Sequence, residues 1–197
     1  MMYIKERDRN ILKFIEEYGS ITITICSNLF FNSYKNGYYM ASRRLKAMFD
    51  NKMVKRTREN VNDEYVYYFY KPLNAHRLKL LEVYSKINCL GRIERFEIEK
   101  VVEGTKRKND GLIEVAIDKG NYDEVFPIIL EIDYTHETDS KKIKDIVESN
   151  YYQDIYGFMP IFIIVQRYEW QRQPCYDSTT VNCVDWSLSS LSASFLA

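Results

Sequence analysis

The chain has little glycine, proline or histidine: 7, 4 and 2 residues among 197. The seven glycines are isolated, so there is no glycine-rich loop to cradle phosphates and an ATPase is not expected. The two histidines, His76 and His136, are too far apart in sequence to form a His-hydrophobe-His metal site. A relaxase built on such a site and a tyrosine nucleophile is therefore a poor reading, despite 17 tyrosines. Cys26, Cys89, Cys175 and Cys183 are scattered, with no CxxC and no paired histidine. That spacing indicates neither a zinc site nor a disulfide framework, and it fits a reducing cytoplasm. The longest apolar run in the body, Met159 to Val165, is far short of a membrane span. The first residues are charged from Lys5 onward and contain no signal-peptide core. No membrane partner is expected.

What is present is the composition of a globular protein, 46% hydrophobic, in a chain long enough for one large domain or two small ones. The formal net charge of zero hides a division. Residues 1–108 carry 22 Lys+Arg against 13 Asp+Glu, and residues 109–197 carry 6 against 15. The first part attracts polyanions; the second repels them unless a metal intervenes.

Apolar residues at 11, 12, 14 and 15 predict a first helix that Gly19 stops. "SITITICSNLFF" predicts a short strand and a helix together, with Ser20 or Thr22 as the N-cap. A third helix is expected from about Gly37 to Asn51, with Tyr38, Ala41, Leu45 and Met48 inward and Arg43, Arg44 and Lys46 across the opposite side. "MVKRTRENVNDEYVYYFYK" then reads as strand, Asn/Asp turn, strand, alternate tyrosines packing inward. Three helices and a hairpin wing, the third helix basic, make a winged helix-turn-helix. Between Lys35 and Arg58 there are eight Lys+Arg and one acid, Asp50. The expected DNA contacts are Lys35, Tyr38, Arg43, Arg44 and Lys46 around the third helix, with Lys52, Lys55, Arg56 and Arg58 on phosphates.

Pro72 ends the wing, and "LNAHRLKLLEVYSKI" predicts an amphipathic helix through Leu73, Leu80, Leu81 and Tyr84. "RIERFEIEKVVEG" reads as a strand or short helix, "TKRKND" as a basic turn, and "GLIEVAID" and "PIILEIDYT" as two strands. "DSKKIKDIVESNYYQDIYG" predicts one long helix and "MPIFIIVQR" a central strand buried on both faces. An antiparallel hairpin, a crossover helix and a further strand give a mixed α/β sheet whose polar strand ends gather at one edge. In "ILEID", Glu131 and Asp133 share one face of their strand.

This order resembles the core of the PD-(D/E)xK nucleases. The corresponding pieces are "NDGLIEVAI" with Asp110, "ILEID" with Glu131 and Asp133, and the helix carrying Lys141, Lys142 and Lys144. Over residues 5 to 166 the chain is similar to the replication-relaxation family of plasmid and phage proteins. The likeness lies in the winged helix, "HRLKLLEVY", "ND" before a strand, "LEIDYT", "YYQDIY" and "PIFIIV", taken in order. The resemblance implies an α+β chain of three parts: a winged helix-turn-helix over 1–71, a PD-(D/E)xK nuclease-like domain over 72–186 and a tail over 187–197. It also implies a cytoplasmic place in a bacterial host. Asn109 stands where the nucleases have proline, and Asp133 where they have the lysine of Glu-x-Lys; Lys141 or Lys142 is the available replacement.

The expected function is sequence-specific binding of double-stranded DNA in plasmid or phage replication, relaxation or transcription regulation, with no cofactor required. The second domain would serve dimerisation or docking of other replication or relaxation proteins. The alternative is a DNA-nicking endonuclease in which Asp110, Glu131 and Asp133 hold Mg2+ or Mn2+ and Lys142 completes the site. Without a metal, three such carboxylates should raise at least one pKa. His136 is expected to be a polar loop residue rather than a ligand.

Overall fold

A computed structural model describes residues 3–168 and 181–193. The chain divides into two compact units, Met1–Cys89 and Leu90–Ala197.

The first unit opens with α1 (Glu6–Tyr18), stopped at Gly19, and β1 (Ser20–Ile21). Thr22 caps α2 (Ile23–Phe30) by accepting from the Ile25 N–H at 3.2 Å. The strand-plus-helix reading of this stretch therefore holds, with Thr22 as the cap. Next comes α3 (Gly37–Asp50), whose first residue sits so close to the end of α2 that a Cβ would lie 2.4 Å from the Phe31 carbonyl oxygen. Glycine is required there by close approach. β2 (Lys55–Thr57) and β3 (Val66–Tyr68) form a hairpin, and β1 pairs with β3, giving the antiparallel order β1-β3-β2. The hairpin turn is held by Asp63, which accepts from both the backbone and the side chain of Asn60. Ile11, Ile15, Ile25, Ala41, Leu45, Met48 and Tyr67 are fully buried and form the unit's core.

The expected boundary at 71/72 and the observed division differ by one helix, α4 (Ala75–Ile87). Its Ser85 hydroxyl accepts from Asn28 of α2 at 3.0 Å, and its Tyr84 ring lies 5.9 Å from that of Tyr18 on α1. These contacts, from residues distant in sequence, make α4 part of the first unit.

The second unit is a five-stranded mixed sheet in the order β4-β5-β6-β7-β8. β4 (Arg92–Ile98), β5 (Gly111–Asp118) and β6 (Asp123–Asp133) are antiparallel neighbours. The chain then crosses over through α5 (Ser140–Glu148) and α6 (Tyr151–Tyr156) to β7 (Ile161–Gln166), which lies parallel to β6; β8 (Val181–Asp185) lies parallel to β7. The single long helix expected here is two, because Asn150 adopts a left-handed conformation (φ 56°) that ends one and starts the other. Asparagine tolerates that region better than most side chains. Ile129, Phe162 and Ile164 pack with Ile143 and Ile146 of α5 and Tyr152 of α6, while Ile128, Leu130, Ile163 and Val165 are buried on the other face. Leu188 and Leu191, in the stretch expected as a tail, are buried too. Cys26, Cys89 and Cys183 are unbonded; Cys175 lies outside the described residues, as does the end of the tail. Among the described residues no helix is long and apolar enough to cross a membrane.

Candidate functional site

Two groups of side chains invite chemistry, one in each unit. In the first, Gly37, Ala41, Leu45 and Met48 turn the buried face of α3 inward. Tyr39, Arg43, Lys46 and Asp50 fall on the opposite face at spacings of four, three and four, and all four are exposed. Arg43 lies 5.6 Å over the Tyr39 ring, and Lys46 pairs with Asp50 at 2.6 Å. Lys35, Lys52 and Lys55 are exposed, with no ion pair among the described residues. Arg58 is also exposed, over the Tyr65 ring at 4.6 Å and donating to the Val61 carbonyl.

Three of the nine expected DNA contacts are placed differently. Tyr38 is 52% exposed rather than inward-facing. Burial of its hydroxyl, with a hydrogen bond to Glu64, pushes its pKa up to about 12, so it stays neutral. Glu64 also accepts from the backbone N–H and hydroxyl of Thr24, tying the starts of α2 and α3 to the hairpin. Arg56 turns onto the rings of Phe49 and Tyr65, at 4.1 and 4.2 Å. Arg44 grips Asp8 of α1 with both Nε and Nη2 and reaches the Tyr3 carbonyl at 2.9 Å. Asp8 is 2% exposed. Burial alone would raise its pKa; the Arg44 bonds and the Lys5 N–H outweigh it and hold the carboxyl below its ordinary range. Arg44 is thus a structural residue. Its partner 36 residues away gave no local signal.

In the second unit the sheet brings Asp110, Glu131, Asp133 and Lys142 to one end. The β5·β6 ladder stops at Gly111 opposite Leu130, and Asp110 continues it with its side chain, Oδ2 accepting from the Ile132 N–H at 2.7 Å. Glu131 and Asp133 point to the α5 side, in register with Ile164 and Gln166 of β7. Asp133 Oδ1 accepts from both the N–H and the hydroxyl of Thr138, at 3.0 and 2.6 Å. The next residue, Asp139, caps α5. That start of the helix places Lys142, rather than Lys141, 2.6 Å from Glu131 Oε2.

The electrostatics are unbalanced. Glu131 is 2% and Asp133 1% exposed. Burial pushes the Glu131 pKa up to about 8; Lys142 opposes the rise, and Asp110 and Asp133 add to it. Asp133 is also raised, chiefly by burial, against the Thr138 bonds and the nearby Gln166 amide. The expectation that at least one carboxyl would be raised is met. Among the described residues, four buried side-chain atoms lack a hydrogen-bond partner: Asn109 Oδ1, Glu131 Oε1, Asp133 Oδ2 and Gln166 Nε2. Glu131, Asp133 and Gln166 end adjacent strands, and Asn109 precedes Asp110 while donating to the Tyr152 hydroxyl at 2.6 Å. Such atoms cost free energy unless something binds them. Asn109 and Gln166 do not stand out in the sequence, where a lone amide gives no signal.

Glu131 Oε1 is without a donor, and Asp133 Oδ2 has only the Gln166 amide near it, outside good hydrogen-bond geometry. Two such oxygens on one face suit a hard, hydrated divalent cation. They do not make a three-sided cage: no group of three or more His, Cys, Asp or Glu converges on a point among the described residues, and Asp110 Oδ2 is committed to the Ile132 N–H. A cation here would rest on Glu131 and Asp133, with water completing its shell. His136 is exposed in the loop after β6, outside this group.

No protein-family model, no curated protein and no solved structure matches the chain.

Proposed function

We propose that the chain is a sequence-specific, double-stranded DNA-binding protein of a plasmid or phage, acting in replication, relaxation or transcription regulation. The first unit is read as a winged helix-turn-helix and the second as a nuclease-like scaffold for dimerisation or partner docking. One observation carries this reading. The solvent face of α3 presents Tyr39, Arg43 and Lys46, in a unit whose hairpin bears Lys55 and Arg58. A helix with such a face fits a major groove, and the flanking cations meet phosphates on either side. Of the acids nearby, Asp8 is neutralised by Arg44, while Asp50 offsets Lys46, so the unopposed positive charge rests on Arg43, Lys55 and Arg58.

Footprinting and mobility shifts on the mobile element's own DNA, at several salt concentrations, test the reading. Replacing Arg43 and Lys55 together by Ala should weaken binding and lower the salt slope by about one for each phosphate left without its cation. Binding unchanged in that double variant, or absent from the wild type at low salt, refutes the assignment.

The unpartnered oxygens of Glu131 and Asp133 favour a second reading, a metal-dependent nicking endonuclease. The ion would supply positive charge to the scissile phosphodiester. Glu131 and Asp133 would hold it, Asp110 would shape the strand end, and Lys142 would offer a proton donor beside Glu131. Nicking of supercoiled DNA in Mg2+ or Mn2+ should vanish in Glu131→Ala; cleavage that survives the substitution comes from a contaminant.

A further inference from the structure

Between the start of α1 and α3, the first unit has a cleft of about 740 Å³. We propose that this cleft receives an unpaired nucleotide, so that the preferred DNA carries a bulged or single-stranded base next to the duplex. The inference rests on the DNA-binding reading and names a substrate class within it.

The lining is what a base and its phosphate require. From the segment between α2 and α3, Tyr34 contributes an exposed ring and Phe31 a buried one beneath Arg7; Met40 and Ala47 give an apolar side from α3, and Arg7 and Arg43 cationic edges. Arg7 is already set in place. Its guanidinium lies 4.5 Å from the centre of the Phe31 ring and 5.1 Å from that of Tyr34, and it donates to the Tyr34 hydroxyl at 2.9 Å. Tyr34 is nonetheless 44% exposed, and Tyr39, under Arg43, is 63% exposed. Flat rings and guanidinium planes left open to solvent stack on the face of any base, and the same arginines neutralise its phosphate.

The size also discriminates. The cleft is in the range of about 300–1,000 Å³ that encloses small organic ligands, which is more than a phosphate needs. A fully paired duplex keeps its bases stacked and can offer one to such a cleft only by flipping it out; a bulge or single strand offers one at little cost. The two acids in the wall each have a cation, Asp8 held by Arg44 and Glu6 paired with Arg9 at 2.9 Å. The cleft and the exposed stripe of α3 share Arg43, so a duplex lying on the stripe brings its strand to the cleft's edge.

The test uses the full chain and two short mixed-sequence duplexes at low salt, one fully paired and one with a single 2-aminopurine bulge. Wild-type protein should bind the bulged duplex about tenfold more tightly and quench the 2-aminopurine by stacking. Tyr34→Ala, an exposed position, should abolish both the preference and the quenching while keeping the affinity for paired duplex. Tyr34→Phe, which keeps the ring, should retain them. Equal affinity for the two duplexes, or quenching that survives Tyr34→Ala, overturns the cleft assignment and leaves the duplex-binding reading standing. No salt-sensitive binding to either duplex overturns both.

Discussion

Asp8 in the first unit and Glu131 in the second are both carboxylates 2% exposed, and each meets one basic side chain. Their pKa values move in opposite directions. Asp8 accepts two charge-assisted bonds from one guanidinium and a third from the Lys5 N–H, so its charge is fully matched and its pKa falls. Glu131 accepts one bond from Lys142, keeps an oxygen with no partner, and shares its surroundings with Asp110 and Asp133; its pKa rises. Burial disfavours the charge in both, but it is deeper around Glu131 and is the main cause of the rise there. At Asp8 the donors outweigh that cost; at Glu131 a single donor, beside two further acids, does not. A matched buried carboxylate serves architecture, whereas an unmatched one is left with affinity for a proton or a cation.

The strongest way to break this comparison is Arg44→Ala, which leaves Asp8 buried without its cation. Removing one partner of a buried pair costs about 3 kcal/mol, read as a lower urea midpoint with an unchanged slope. If stability is unchanged, Asp8 is not held by Arg44. In the wild type the Asp8 contribution is complete above its ordinary pKa and is lost as acid brings the pH down through its lowered folded value.

Glu131→Gln tests the other side of the comparison. Because the folded pKa of Glu131 lies near 8 against an ordinary 4.5, the folded state binds an extra proton between those values. Wild-type stability should therefore fall as pH rises through that window, by up to about 1.4 kcal/mol per pH unit, and level off above it. The Gln variant should show a flatter profile between pH 5 and 8, measured by denaturation at each pH. Parallel profiles would mean that Glu131 is charged throughout.

Lys46→Ala gives the smallest effect. Lys46 and Asp50 form an exposed pair one helical turn apart, so the change should stay within about 0.5 kcal/mol. A decrease as large as that of Arg44→Ala would show that exposure does not separate these pairs.

Local patterns carry much of this organisation, and partners distant in sequence carry the rest. Ala41, Leu45 and Met48 are legible as the buried face of α3 because their spacing is intrinsic to a helix, and Glu131 and Asp133 share a face because strands alternate. Tyr38 reads as inward because it continues the same spacing, yet it lies at the helix start, where Glu64 of the hairpin meets it. The choice of Lys142 over Lys141 depends on where Asp139 starts α5. β8 has no clear signature in the sequence: five residues with little alternation become a strand only because β7 offers an edge.

The position of β6 also bears on how the sheet assembles. β4, β5 and β6 are joined by local, antiparallel connections, whereas β7 reaches β6 only after the α5–α6 crossover. Contacts distant in sequence form later in folding, since the intervening loop must first be closed. Glu131 and Asp133 stand on the face of β6 that the crossover covers, and they lose water where Thr138 and α5 pack over them. Their charge opposes that packing while their protonated forms do not. The site's chemistry and the seating of the crossover on the sheet are thus tied to the same two side chains.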